Sequence, residues 1–325
     1  MVLIIIFMLA GLWLLPAGVN AGPGVPVGPP PKIATSETFR FPYFAPPSQL
    51  YFCGKPVPLN DPAVKEALDR EFIIAVWSRA QTIMWLKRAA RYFPEIERKL
   101  RDRHLPMDLK YVVVAESDLR TAARSFAGAL GPWQFMGPTA QRFNLRCDKS
   151  VDQRLSFGAA TDAALMYLQH LHKLFHTWPL ALAAYNAGEG RVQKAIAVQG
   201  VHSYYHLSLP AETERYVFRV LAAKIILEDP VRYGYDIPKD QLYAPEDFDQ
   251  VRLTLAKAVP VRTLAEACGT YYKAFKTLNP WIKGDSLCAG TFLLKIPKGS
   301  APRFQAAMRQ VETSAPTTSD PGIKK

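Results

Sequence analysis

Between about residues 60 and 230 the chain is a series of amphipathic stretches interrupted once by an irregular segment rich in glycine, proline and aromatic residues. That pairing constrains the fold more than any other feature. Stretches with one apolar face must pack on one another, and a long irregular segment inside such a block is usually functional. The first stretch opens at Asp61-Pro62, an acidic cap with proline in the first turn. Its apolar positions Val64, Leu68, Phe72, Ala75, Ile83 and Leu86 recur at helical spacing, and Asp102 to Asp108, with Pro106 as the breaker, ends it. Residues 155–175 and 211–227 are long, amphipathic and free of internal proline, and residues 178–187 read as a shorter, largely buried helix. The irregular segment SFAGALGPWQFMGPTAQRF falls between Arg120 and Asp148 and is too aromatic for an ordinary surface loop. Residues 61–230 are therefore expected to form one mainly α domain.

The flanks follow other rules. After a linker at 231–246, FDQVRLTLAKAV alternates like a strand, two short helical stretches follow, and GTFLLKIPKG alternates again. That order predicts a small βααβ unit over 247–299, leaving 300–325 as a tail that is Pro/Ser/Thr-rich beyond Ser314. Residues 22–60 are dense in proline and glycine and read as a tether or wrapped arm. At 325 residues and 49% hydrophobic content, one good core plus a smaller module fits the usual ~150 residues per domain.

Met1 to Leu15 are almost wholly apolar, and the small residues through Val19-Asn20-Ala21 suit a signal-peptidase site. This stretch is short of the ~20 apolar residues of a membrane helix. Residues 1–21 are therefore expected to be a signal peptide, or alternatively an N-terminal anchor through which the protein associates with a membrane. Export into an oxidising compartment makes Cys53, Cys147, Cys268 and Cys288 candidates for two disulfides, with Cys268 to Cys288 favoured by spacing and Cys53 to Cys147 left over. Four free thiols is the competing reading. The net charge of +12 suits an acidic polymer, whether nucleic acid, an anionic membrane or a wall bearing carboxylates, and export disfavours nucleic acid. No Cys or His spacing suggests a metal site, and His170, His172 and His176 read as a solvated helix face.

Four constellations carry chemistry. In LKYVVVAESDLR, Glu116 stands just after an apolar run, where partial desolvation raises a carboxyl pKa toward what a general acid needs. The competing reading has Glu116 end a helix and face water, and Asp118 reads as a helix-end residue. Ser125, Gly128, Ala129, Gly131, Gln134, Phe135 and Met136 combine small residues that admit a ligand with bulky ones that form a wall. In ALAAYNAGEGRV, Tyr185 and Asn186 close a short apolar helix before a glycine turn, and Glu189 between the glycines reads as exposed. In PAETERYVFRV, Glu212 and Tyr216 are one turn apart on a shared face.

In this order and spacing the four resemble the family 1 lytic transglycosylases, nearest their membrane-bound D-type subgroup, over roughly residues 60–230. The resemblance rests on Glu116-Ser117, on Ser125 to Ala129 running into Gln134-Phe135-Met136, on Tyr185 to Gly190, and on Glu212 to Tyr216. Pro132-Trp133 and Gly137-Pro138 depart from the usual pattern. The resemblance implies a lysozyme-like helical domain, an enzyme of the bacterial periplasm or cell envelope acting on peptidoglycan glycan strands, and no cofactor. It places the catalytic acid/base on Glu116 and substrate contacts on Ser125, Gln134, Met136, Tyr185, Asn186 and Glu212. Most glycosidases use two carboxylates. Here the resemblance implies that Glu116 alone protonates the bond between N-acetylmuramic acid and N-acetylglucosamine, then deprotonates the C6 hydroxyl to close a 1,6-anhydro ring. Tyr185 and apolar surroundings are expected to hold the Glu116 pKa high, and Ser125 to bind the acetamido group. A hydrolase on the same fold, with Asp118 as the nearest second acid in sequence, and a non-catalytic glycan-binding protein are the alternatives. The βααβ unit resembles a lysin motif in its Leu-Ala then Gly pattern, Leu278-Asn279-Pro280, Gly290-Thr291 and Ile296-Pro297. That second resemblance leaves glycan binding and a structural appendage both open.

Overall fold

The computed structural model describes residues 42–313. The expected signal or anchor at 1–21 and the tail beyond Ser314 lie outside the described residues. From Phe44 onward the chain clusters as one unit. Helix α1 (Pro62–Trp77) starts where the Asp61 carboxylate accepts a hydrogen bond from the Ala63 amide at 2.9 Å, which satisfies one of the orphan donors of a helix start. Its face Val64, Leu68, Phe72 and Ala75 is buried. Ser78 separates it from α2 (Arg79–Asp102), which runs through Pro94. A 3-10 turn at Met107–Tyr111 leads into α3 (Val112–Ser117), whose three valines are no more than 1% exposed.

Helices α4 (Gly137–Arg142), α5 (Phe157–Phe175), α6 (Trp178–Ala187), α7 (Glu189–Gln199) and α8 (Ala211–Glu228) complete a mainly α block. Helix α8 is the hub: α1, α3 and α6 all pack on it, and eleven of its residues are buried. Charged groups inside this packing are paired. Glu71 on α1, 3% exposed, receives Arg215 Nε of α8 at 2.6 Å. Lys224 of α8 reaches Asp108 at 2.9 Å and Glu228 at 2.6 Å. Such pairs matter most when broken, because the partner is left as an uncompensated buried charge.

The chain after the block keeps the expected βααβ order. Strand β3 (Phe248–Leu255) pairs antiparallel with β6 (Gly290–Pro297), from Phe248 opposite Pro297 to Leu255 opposite Gly290. Between them lie β4 (Val259–Pro260), α9 (Val261–Ala267), α10 (Tyr272–Leu278) and β5 (Ser286–Leu287). Its apolar core is separate from that of the helical block, with two loans: Val151, fully buried, belongs to it, and Leu155, partly buried, packs against it. Val151 bridges to Ile282, the Asp152 amide donates to the Trp281 carbonyl at 2.8 Å, and the Lys283 amide donates to the Ser150 carbonyl at 2.9 Å.

The structure decides between the readings left open for the arm and for the cysteines, and it corrects those for the linker and the tail. The end of the arm assigned to 22–60 is not a loose tether: β1 (Tyr51–Phe52) and β2 (Lys55–Pro56) form a hairpin, and Leu50, Phe52 and Val57 enter the helical core. Asp108 accepts from the Cys53 amide at 2.6 Å, at the hairpin turn. The linker at 231–246 is packed rather than free, since Tyr233 and Tyr235 are buried and the Tyr235 hydroxyl donates to the Val76 carbonyl at 2.6 Å. The region assigned to a tail from 300 holds α11 (Ala301–Thr313), whose Phe304 and Met308 complete the module's core. The four cysteines are free thiols, so neither suggested pairing is formed. No described helix is long and apolar enough to cross a membrane. Because α11 contributes core rather than tail, Phe304→Ala is expected to destabilise the module by ~3–5 kcal/mol in chemical denaturation. A cost below ~0.5 kcal/mol would be that of a surface residue and would return α11 to the tail.

Candidate active site

Glu116 occupies the last turn of α3, and the chain turns there because Asp118 and Leu119 are both left-handed, at φ 55° and 60°. The side chain of Asp118 secures this turn by accepting from Gln81 Nε2 at 2.8 Å and Trp85 Nε1 at 2.7 Å, both on α2. It is the helix-end residue expected, and it does not line the groove into which Glu116 faces. That groove encloses about 520 Å³ and is lined by Glu116, the 125–136 segment, the end of α6 and the start of α8.

Burial pushes the half-buried Glu116 carboxyl up to about 7; the Tyr216 hydroxyl and the charge of Arg219 act against this, and the charge of Glu212 acts with it. The tyrosine that holds Glu116 is Tyr216: its hydroxyl donates to Glu116 Oε1. Burial and the neighbouring carboxylate lift the Tyr216 phenol well above its ordinary value, so it stays a donor. This corrects the role expected for Tyr185. The Tyr185 hydroxyl donates instead to the Trp133 carbonyl at 2.8 Å, which pins the irregular segment to α6. The Tyr216 bond favours the ionised carboxylate, so the raised proton affinity comes from burial and Glu212, not from a tyrosine.

The irregular segment is a scaffold of its own. Trp133 is fully buried and donates to Thr161 Oγ1 on α5 at 2.9 Å. Gly131 at φ 85° lies so close to the Arg154 carbonyl that an added Cβ would stand 1.9 Å from its oxygen, which only glycine permits. Gln134 Nε2 donates to the carbonyls of Gly131 at 2.7 Å and Ala123 at 3.1 Å. Ser125 Oγ accepts from the Ala129 amide at 3.0 Å, and Met136, 43% exposed, stands at the head of α4 on the groove wall.

All seven expected site residues line this one groove. Asn186 accepts from Thr213 Oγ1 at 2.8 Å through Oδ1, which sets the orientation of its amide. Glu212, in the first turn of α8, is largely exposed, 3.5 Å from Arg219 Nη2. Glu189 is tied outside the groove by two 2.9 Å bonds from Arg142. Sequence reasoning missed Tyr216 as a partner of Glu116, and Arg219 altogether. The i, i+4, i+7 spacing of Glu212, Tyr216 and Arg219 on α8 is the signal that places all three on one face. Among the described residues no cluster of three or more His, Cys, Asp or Glu could hold a metal ion. The His172 ring stacks on Trp178 with centroids 4.1 Å apart. A second cavity of about 350 Å³ lies between the block and the module. Its three acids each face a cation: Asp162 is bound by Lys99 and Arg103 at 2.6 Å each, Glu95 lies 3.8 Å from Lys99, and Glu246 lies 3.9 Å from Lys295.

Residues 93–207 match the family model described as Transglycosylase SLT domain. Membrane-bound lytic murein transglycosylase D of Escherichia coli (strain K12) is 33% identical over 234 residues, which are 70% of this chain and 51% of the relative. The protein of the same name from Escherichia coli O6:H1 matches to the same extent. The chain thus spans about half the length of these curated relatives. Among solved structures, an inactive mutant of lytic transglycosylase Slt from Pseudomonas aeruginosa aligns with a TM-score of 0.34 at 23% identity, over 47% of this chain and 26% of that one.

The site's electrostatics make a stability prediction. A carboxyl raised from 4.5 to about 7 leaves the fold progressively less stable as pH rises through that window, with no further loss above it. Glu116→Gln keeps an acceptor for Tyr216 and removes the charge. Its melting temperature is expected to exceed that of the wild type by an amount that grows from pH 4.5 to about 7 and then levels, worth up to ~3 kcal/mol. Calorimetry across the window checks this, and a pH-independent difference would contradict it.

Proposed function

Since residues 93–207 belong to the transglycosylase SLT family, we propose that this protein is a lytic transglycosylase that cleaves peptidoglycan glycan strands with Glu116 as its single acid and base. The observation that carries the proposal is a half-buried carboxyl held near neutrality at the floor of an open groove. The resting Glu116 carboxylic acid gives its proton to the glycosidic oxygen between N-acetylmuramic acid and N-acetylglucosamine as the C1–O bond breaks. The substrate's acetamido oxygen bonds to C1 and takes up the developing charge. Glu116, now a carboxylate steadied by the Tyr216 hydroxyl, removes the C6 hydroxyl proton, and O6 displaces the acetamido oxygen from C1. The acid is regenerated and no water enters. Ser125, Gln134, Met136, Tyr185, Asn186 and Glu212 form the wall against which the strand lies. A hydrolase needs either an ordered water at C1 or, in the usual two-carboxylate form, a second carboxylate beside it. Asp118 is turned away onto α2, and the other carboxylate lining the groove, Glu212, is a largely exposed rim residue, which disfavours the two-carboxylate form.

The proposal includes work at the cell envelope, in keeping with the positive charge, and retention on the glycan by the lysin-motif-like module. The module's 281–283 loop is engaged by residues 150–152, so its remaining surfaces are the ones offered to glycan. Mass spectrometry of soluble products from bacterial sacculi tests the chemistry. Wild type is expected to release fragments that lack a reducing end and are lighter by one water, and Glu116→Gln to do so ~10²–10⁴-fold more slowly. The rate is expected to fall as pH rises through about 7, where Glu116 loses its proton. Reducing-end products would make the protein a hydrolase, and no products from either form would make it a binding protein.

A further inference from the structure

Among the described residues, Arg219 is the one cationic residue lining the groove, and its surroundings are unusual. It follows Tyr216 by one turn on α8, and its guanidinium carbon lies 5.7 Å from the centroid of the Tyr216 ring. Its Nε is buried and has no hydrogen-bond partner among the described residues. Its one ion pair among the described residues, from Nη2 to Glu212, is 3.5 Å long and ends on a largely exposed carboxylate. A buried N–H without a partner is costly and calls for a reason. A charged planar group over the ring that bonds Glu116 supplies one.

We propose that Arg219 is a positioning residue for Glu116: its guanidinium braces the Tyr216 ring and presents positive charge to the carboxylate that forms when Glu116 releases its proton. Glu212 is the counterweight, drawing on the same guanidinium from the rim so that the resting acid is not stripped of its proton. The titratable and charged groups facing Glu116 are Tyr216, Arg219 and Glu212 from α8 and Tyr185 from α6, with Tyr167 of α5 farther along the wall. The 125–136 segment lines the groove with no charged side chain. The sense of each charge agrees with this arrangement, Arg219 favouring the ionised Glu116 and Glu212 the neutral one. A strand that draws Glu212 toward its own hydroxyls would free Arg219 for Glu116 at the moment the carboxylate forms.

The inference rests on the proposed chemistry, so its test includes a readout that needs no turnover. The Glu116 carboxyl is titrated by carbon NMR in full-length wild type, Arg219→Gln, Arg219→Lys and Glu212→Gln, and the pH dependence of kcat is measured on sacculi. The Glu116 midpoint is expected to move to higher pH in Arg219→Gln, to lower pH in Glu212→Gln, and to stay near wild type in Arg219→Lys. Turnover in Arg219→Gln is expected to fall on the order of tenfold to a hundredfold with KM nearly unchanged. Arg219→Lys, which keeps the charge and loses the plane, should recover the pH profile and only part of kcat. Unmoved midpoints in both Arg219→Gln and Glu212→Gln would overturn the inference. Displaced midpoints in a wild-type background that releases no product would uphold the electrostatic role and sink the proposed function instead.

Discussion

Helix α3 has six residues, far too few to stand alone in water. It exists because its three valines are sealed between the 3-10 turn before it and α8 behind it. That burial is the constraint on which the site depends. It leaves Glu116 at the end of an apolar run, where water is scarce on one side and the groove opens on the other. The two left-handed residues that follow, secured by the Asp118 bonds to α2, stop the helix before the next turn would carry the chain across the groove. Burial both makes the helix and raises the proton affinity of the acid at its end.

Around that acid the structure balances opposing influences. Desolvation and Glu212 favour the neutral carboxyl; Tyr216 and Arg219 favour the carboxylate. A group that must serve first as acid and then as base within one reaction works best when neither form is strongly preferred, and a value of about 7 meets that condition. The wall opposite is held by unrelated means: Trp133 anchored in the core, Gly131 pressed on the Arg154 carbonyl, and Tyr185 bonded to the Trp133 carbonyl. The same stretch of chain then serves the module, because Asp152 both binds Arg154 and pairs with the Trp281 carbonyl through its amide. Groove wall and C-terminal module thus share a support at residues 150–154.

Much of this was legible beforehand. The helical period marked α1, α5, α6 and α8 because a half-buried helix must repeat its apolar residues every three or four positions. The seven site residues named from motif order all line one groove. What escaped has particular reasons. Phe304 and Met308 are a short i, i+4 signal in a polar stretch, and Tyr233 and Tyr235 lie among prolines, so neither pair stood out until a core was there to receive them. Four cysteines invited pairing, yet pairing depends on how the backbone brings them together and not on their number.

The sequence by itself determined the helical block and the βααβ order, and it named seven of the residues that line the groove, since periodicity and motif spacing are local properties of the chain. Only the tertiary structure decided that Tyr216, and not Tyr185, hydrogen-bonds Glu116. Tyr185 ends one apolar stretch and Tyr216 begins another, and the choice between them follows from how α3 lies against α8, across a separation of 100 residues. Proton affinity was settled at the same level. It is set by solvent exclusion and by charges brought in from another helix, and neither exists until the chain has folded.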